Sequence, residues 1–209
     1  MSFSLWLERL REMDVASFYL INKTLRNEFF DSLMPFVTNK WNFAVPLGLL
    51  LLFVLLFRQK RDRILAVSAI AVVLLADATA YFLKDVFQRI RPCHVLQQVY
   101  LLRGAFCTNS FSFPSNHAAN MFAIAAFLSY NYRSLVVPSY LAAALVSYSR
   151  IYLGVHYPAD VMAGLFCGML LGFPAAIMAE RLTRLGKVED SNRAGQKEDR
   201  PASRLISSQ

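Results

Sequence analysis

Residues 141–173 read LAAALVSYSRIYLGVHYPADVMAGLFCGMLLGF, two apolar runs that meet at Arg150, His156 and Asp160. Ionisable side chains are costly inside a bilayer and rarely occur there without a task. The cluster falls where one apolar segment ends and the next begins, either as a solvated junction or as a working site. The flanking runs read as spanning helices over 135–152 and 158–179. Further out, 41–57, 64–83 and 116–130 read the same way. At ~1.5 Å per residue the longer runs cross a hydrocarbon core of ~30 Å. The shorter ones lean on interfacial aromatics such as Trp41, Tyr130 and Tyr152.

Composition agrees. Of 209 residues 56% are hydrophobic and 17% charged, where a soluble domain carries about a quarter charged. The mean hydropathy is +0.38. The expected fold is all-α, a polytopic transmembrane helix bundle with five clear spans over residues 41–185. Residues 1–40 read as an interfacial region. Leu5, Leu7, Leu10 and Met13 alternate with charges, as in a helix lying along the membrane surface. Apolar stretches at 15–21 and 29–37 are interrupted by Lys23, Arg26, Glu28 and Asp31, so both a partly embedded helix and a sixth span stay open. No cleavable leader is expected, because residues 1–14 lack a long apolar core. Residues 186–209 are polar and aperiodic and read as a disordered tail.

The net charge of +8 does not point to nucleic acid, since no basic stripe with interleaved aromatics stands clear of the apolar runs. It is better explained by orientation. RQKRDR (58–63), Arg133, Arg181, Arg184 and Lys187 share one side. Apart from Lys84, Arg91 and Arg150, the other side has only Arg89 and Arg103. Basic loops stay in the cytoplasm, so the 84–115 and 149–157 loops face outward. Cys93 and Cys107 both lie in the first of these loops. They are either free thiols or a disulfide, whose ring of about 15 residues would contribute ~3 kcal/mol. Cys167, among apolar neighbours, reads as packing.

Three polar motifs gather on the outward side. In KDVFQRIRP, Lys84 and Arg91 share a helix face if the second span runs on to Pro92. In PSNH, Ser115 suits an N-cap, and the N–H groups of Asn116 and His117 would face an anion. In SRIYLGVHYPAD, Ser149 and Arg150 close one helix and Pro158 opens the next. Alternating helix directions put all three at one membrane depth. Each has an ordinary reading when taken alone: snorkelling cations, a simple cap, a pair at a helix start. Together they make a pocket for a dense anion, with phosphate the best fit. A neutral His156 could attack phosphorus while Asp160 fixes its tautomer. His117 could protonate the leaving oxygen. The cations would neutralise the developing charge, with no metal or cofactor. Asp77, inside the second span and seven before Lys84, reads as support for that lysine or as the lining of a wet cavity. His94 matches no motif position.

These residues resemble the type-2 phosphatidic acid phosphatase superfamily, whose signature is K-x6-R-P, P-S-G-H and S-R-x5-H-x3-D. Here it reads Lys84…Arg91-Pro92, Pro114-Ser115-Asn116-His117 and Ser149-Arg150…His156…Asp160. The resemblance implies His156 as nucleophile, Asp160 as its partner and His117 as acid. It implies phosphate binding by Lys84, Arg91, Ser115, Ser149 and Arg150, to which position places Asn116 as well. Asn116 departs from the glycine of that pattern, and asparagine tolerates positive φ better than most residues. The resemblance implies a membrane lipid phosphate as substrate: lipid A 1-phosphate first, then undecaprenyl diphosphate or phosphatidylglycerol phosphate, on the periplasmic face of a bacterial inner membrane. Vanadium-dependent haloperoxidases share the signature, but five spans argue against them. A non-catalytic lipid-binding protein would not need a nucleophile with an orienting aspartate.

Overall fold

The computed structural model describes residues 2–102 and 107–198 of the chain. Among the described residues all regular structure is helical. α1 (Phe3–Tyr19) runs into a π-turn and is followed by α2 (Glu28–Thr38), α3 (Trp41–Phe57) and α4 (Lys60–Phe87). The single turn α5 (Pro92–Val95) precedes α6 (Asn116–Asn131), α7 (Val136–Tyr152) and α8 (Pro158–Glu198). Among the described residues three helical stretches are long and apolar enough to cross a membrane: Lys60–Val95, Arg133–Tyr152 and Pro158–Gly186. α2 and α3, bent by 46° at their junction, make a fourth if they form one span. The sequence reading counts five. The difference lies in α6, whose 16 residues fall short of the ~20 of a full crossing, and, where α2 and α3 are not one span, in the 17-residue α3 as well.

That short helix is nonetheless the centre of the bundle, packed against α8, α7 and α4. Its inner face is alanine: Ala118, Ala119, Ala123, Ala125 and Ala126 are wholly buried. Lipid tails are as apolar as leucine, so helices associate in a membrane through close packing rather than the hydrophobic effect, and small residues permit it. α8 supplies the other half with Gly164, Gly168 and Gly172, one helical turn apart. A Cβ on Gly168 would lie 2.3 Å from the Ala119 carbonyl oxygen, and one on Gly172 2.4 Å from that of Ala123. Leucines and phenylalanines point outward along α3, which buries none of its own residues.

The structure departs from the sequence reading in three places. α4 stops at Phe87, where Gln88 turns left-handed with φ 48°. Lys84 and Arg91 are therefore not two turns of one helix; Pro92 starts α5 instead of stopping α4. The N-terminal region does more than lie at the interface. Phe18 and Met34 are fully buried, and the buried Asn22 amide donates to the carbonyls of Tyr100 and Tyr152, both at 2.9 Å. α8 also continues past Gly186 to Glu198, through a segment whose one strong helix breaker is Gly195. Arg103 and residues 199–209 lie outside the described residues.

Replacing Gly168 by Val drives a branched side chain into the backbone of α6. The expected loss is about 1–3 kcal/mol, read as a lower thermal midpoint in detergent. An unchanged midpoint would mean that the two helices do not rely on this contact.

Candidate active site

The end of α7, the start of α8, the start of α6 and the segment after α4 converge on His156. Between α7 and α8 the chain turns at Gly154, with φ 78° and a Cβ position 2.7 Å from Val99; only glycine fits there. His156 and Asp160 are buried. Arg91 Nη1 lies 3.1 Å from His156 Nε2. Guanidinium can only donate, so Nε2 is the acceptor and the ring proton sits on Nδ1. That proton faces Asp160 Oδ2 at 3.3 Å. Burial lowers the pKa of His156 to about 3, although Asp160 pulls it upward. The contact is thus a neutral imidazole donating to a carboxylate, not an ion pair.

Asp160 is held from several directions. Oδ2 also accepts the Tyr157 backbone N–H at 2.8 Å and the Ser112 hydroxyl. Oδ1 accepts Arg89 Nη1 at 2.8 Å. Arg89 in turn donates to Asp14 of α1 at 2.5 Å and lies 3.9 Å above the Tyr157 ring. The other Asp14 oxygen accepts the Ala159 N–H at 2.8 Å. Sequence reasoning missed Arg89, Ser112 and Asp14. Arg89 had one signal, as a spare cation on a side poor in them and inside the Lys84–Pro92 motif. Asp14 and Ser112 had none, since only the fold carries them to residue 160.

The expected anion ligands differ in what they have left to give. Lys84 Nζ donates to the carbonyls of Phe111 at 2.7 Å, Pro114 at 2.9 Å and Ser112 at 3.3 Å. It pins that loop and contributes charge rather than free donors. Arg91 Nε donates to the Ser110 carbonyl at 2.8 Å, its Nη1 to Val155 O at 3.0 Å, and its Nη2 to Ser110 Oγ at 2.9 Å. Arg150 Nη1 donates to Thr38 Oγ1 at 2.9 Å, while its buried Nε meets no acceptor among the described residues. Of five guanidinium N–H groups, Arg150 has the most to offer an anion. Lys84, Arg91 and Arg150 sit within electrostatic range of one another, a like-charge grouping that an anion would relieve.

Ser115 Oγ caps α6 by accepting the Ala118 N–H at 3.5 Å, and its own N–H donates to Asp160 O at 3.0 Å. Ser149 is buried and its hydroxyl donates within α7 to Val146 O at 2.6 Å. His117 is half-buried and within electrostatic range of His156, Arg150 and Arg91. Asp77 makes no hydrogen bond to Lys84; it accepts from Asn116 at 2.9 Å and Asn120 at 3.0 Å. Cys93 and Cys107 are joined in a disulfide with Cα atoms 6.2 Å apart, bracing Arg91 against the 107–112 segment. With His94 they are the grouping among the described residues that has metal-ligand character. Their sulfurs are engaged with each other, so thiolate ligation and the bridge exclude one another.

A helical membrane bundle with a buried imidazole–carboxylate pair beside clustered cations defines a membrane phosphatase class. The sequence places this chain within a family of that class: the PAP2 superfamily model matches residues 65–184, a stretch that holds all three motifs, and the chain belongs to that superfamily. It is 32% identical to a lipid A 4'-phosphatase of Bacteroides thetaiotaomicron, over 85% of this chain and 81% of that one. It is 30% identical to an undecaprenyl-diphosphatase of Sulfolobus acidocaldarius, over 67% of each. The structure of Aquifex aeolicus LpxE matches with a TM-score of 0.63 and 30% identity, over 78% of this chain and 94% of that one. A PAP2-type phosphatidylglycerolphosphate phosphatase from Bacillus subtilis matches at 0.64 and 25%, over 83% and 87%. The protein is thus a membrane enzyme that hydrolyses phosphate monoesters or diphosphates.

Arg89→Gln removes the link between Asp14 and Asp160. Misplacing a reacting group by about 1 Å can cost ~10²-fold, so turnover is expected to fall at least about 10-fold while KM stays nearly constant. A raised KM with normal turnover would place Arg89 on the substrate instead.

Proposed function

We propose that the protein removes a terminal phosphate from a lipid A-class glycolipid at the outer rim of a bacterial inner membrane, through a phosphohistidine. The observation that carries the mechanism is the tautomer at His156, with an Nε2 lone pair held against Arg91 and a proton facing Asp160. Nε2 forms a bond to phosphorus as the P–O bond to the lipid breaks. The electron pair of that bond goes to the leaving oxygen, which takes a proton from His117. Asp160 stabilises the imidazolium that forms at His156. Arg91 exchanges its contact with Nε2 for a phosphate oxygen, Arg150 offers its uncommitted N–H groups, and Lys84 adds charge. The bound dianion itself favours the protonated form of His117. Water then gives its proton back to His117 and attacks phosphorus, the P–N bond breaks, and inorganic phosphate leaves a neutral His156.

The motifs lie together at the helix ends that the basic loops assign to the outside, consistent with five crossings in which α6 is a short one. The 1-phosphate is the first position to test. The relatives named as lipid A 4'-phosphatases make the 4'-phosphate its paired comparison. A second reading, undecaprenyl diphosphate, is supported by the relatives named for that activity.

Purified enzyme in detergent is expected to release phosphate from these lipids with a chelator present at the same rate as without it. His156→Ala is expected to abolish release. Wild-type enzyme denatured in base during turnover of a radioactive substrate should carry label in an acid-labile, base-stable form, and His117→Ala should acquire it more slowly. Full activity of His156→Ala would end the covalent mechanism.

A further inference from the structure

Asp77 presents an exposed carboxylate on α4, within a stretch that can cross the membrane. Such a group is costly facing lipid and calls for partners. Its Oδ1 accepts the side-chain amides of Asn116 and Asn120, both from the start of α6. An amide that gives its N–H to Asp77 turns its oxygen elsewhere. The buried Oδ1 atoms of Asn116 and Asn120 are both without a donor among the described residues. Buried acceptors are normally satisfied. Here two unfilled acceptor oxygens lie beside an exposed carboxylate, one of them on the residue next to His117.

We propose that Asp77, Asn116 and Asn120 form a subsite for the hydrogen-bond donors of a sugar headgroup beside the phosphate being removed. The ligand class is a glycolipid phosphate, whose hydroxyl and amide N–H groups supply what these oxygens lack. A polyprenyl diphosphate has no donor beyond its phosphates and gains nothing there. Asn116 stands where the family signature has glycine, so this chain has added an amide at the position that meets Asp77. The proposal rests on the lipid phosphatase reading and chooses among its substrates.

The test measures kcat/KM of wild type, Asp77→Leu and Asn120→Leu on a lipid A phosphate and on undecaprenyl diphosphate in the same detergent. A site built around substrate hydrogen bonds discriminates strongly against ligands that lack them. Both variants are expected to lose at least about 10-fold on the glycolipid, mainly through KM, and to stay within about twofold on undecaprenyl diphosphate. Retained activity on the latter shows that the variants fold. An equal loss on both lipids, or no loss on the glycolipid, overturns the subsite and leaves the phosphatase reading standing. A wild-type enzyme that cleaves undecaprenyl diphosphate but not the glycolipid overturns it as well. Release from neither lipid by wild type overturns both.

Discussion

Asp160 places a carboxylate where no solvent reaches it, at the first turn of α8. A buried charge is tolerable only when its oxygens are fully hydrogen-bonded and its charge is matched. Much of the architecture answers that demand. The helix start donates an N–H from Tyr157, the 110–115 segment sends Ser112, and the chain beyond α4 sends Arg89. α1 then balances the arginine with Asp14. The same carboxylate faces the proton on His156, so the interaction that fixes the imidazole's tautomer is also the one that gathers four separate parts of the chain.

The glycine–alanine contact between α8 and α6 serves the same end. Close approach of the two helices brings the cap at Ser115 within a hydrogen bond of the Asp160 carbonyl. His117 and His156 are thereby carried by elements locked together at backbone distance. Bulkier residues along this seam would push His117 away from His156.

Much of this was legible in the sequence, in uneven ways. The helical class, the convergence of the three motifs and the residues around His156 follow from apolar run lengths and fixed spacings. Spacing reports neighbours on one element, and so it misjudged Lys84 and Arg91. Their matching helix faces were an inference from period alone, and Gln88 breaks the period. It was silent on Asp14 and Ser112, whose roles exist only through contacts between residues far apart in the chain. The span count differs because an apolar run such as 116–130 does not show that its helix, 16 residues long, is shorter than a full crossing. Asp77 was recognisable as unusual, but its partners were not, since asparagine carries no charge to balance.

The partners of Asp160 have one more property in common. Asp14, Arg89 and Ser112 all precede residue 160 in the chain. In synthesis from the N-terminus, Arg89 and Ser112, which meet the carboxylate, and Asp14, which pairs with Arg89, are made before it. The buried carboxylate is thus the last of these groups to be made, and the side chains that meet it already belong to the chain when it appears.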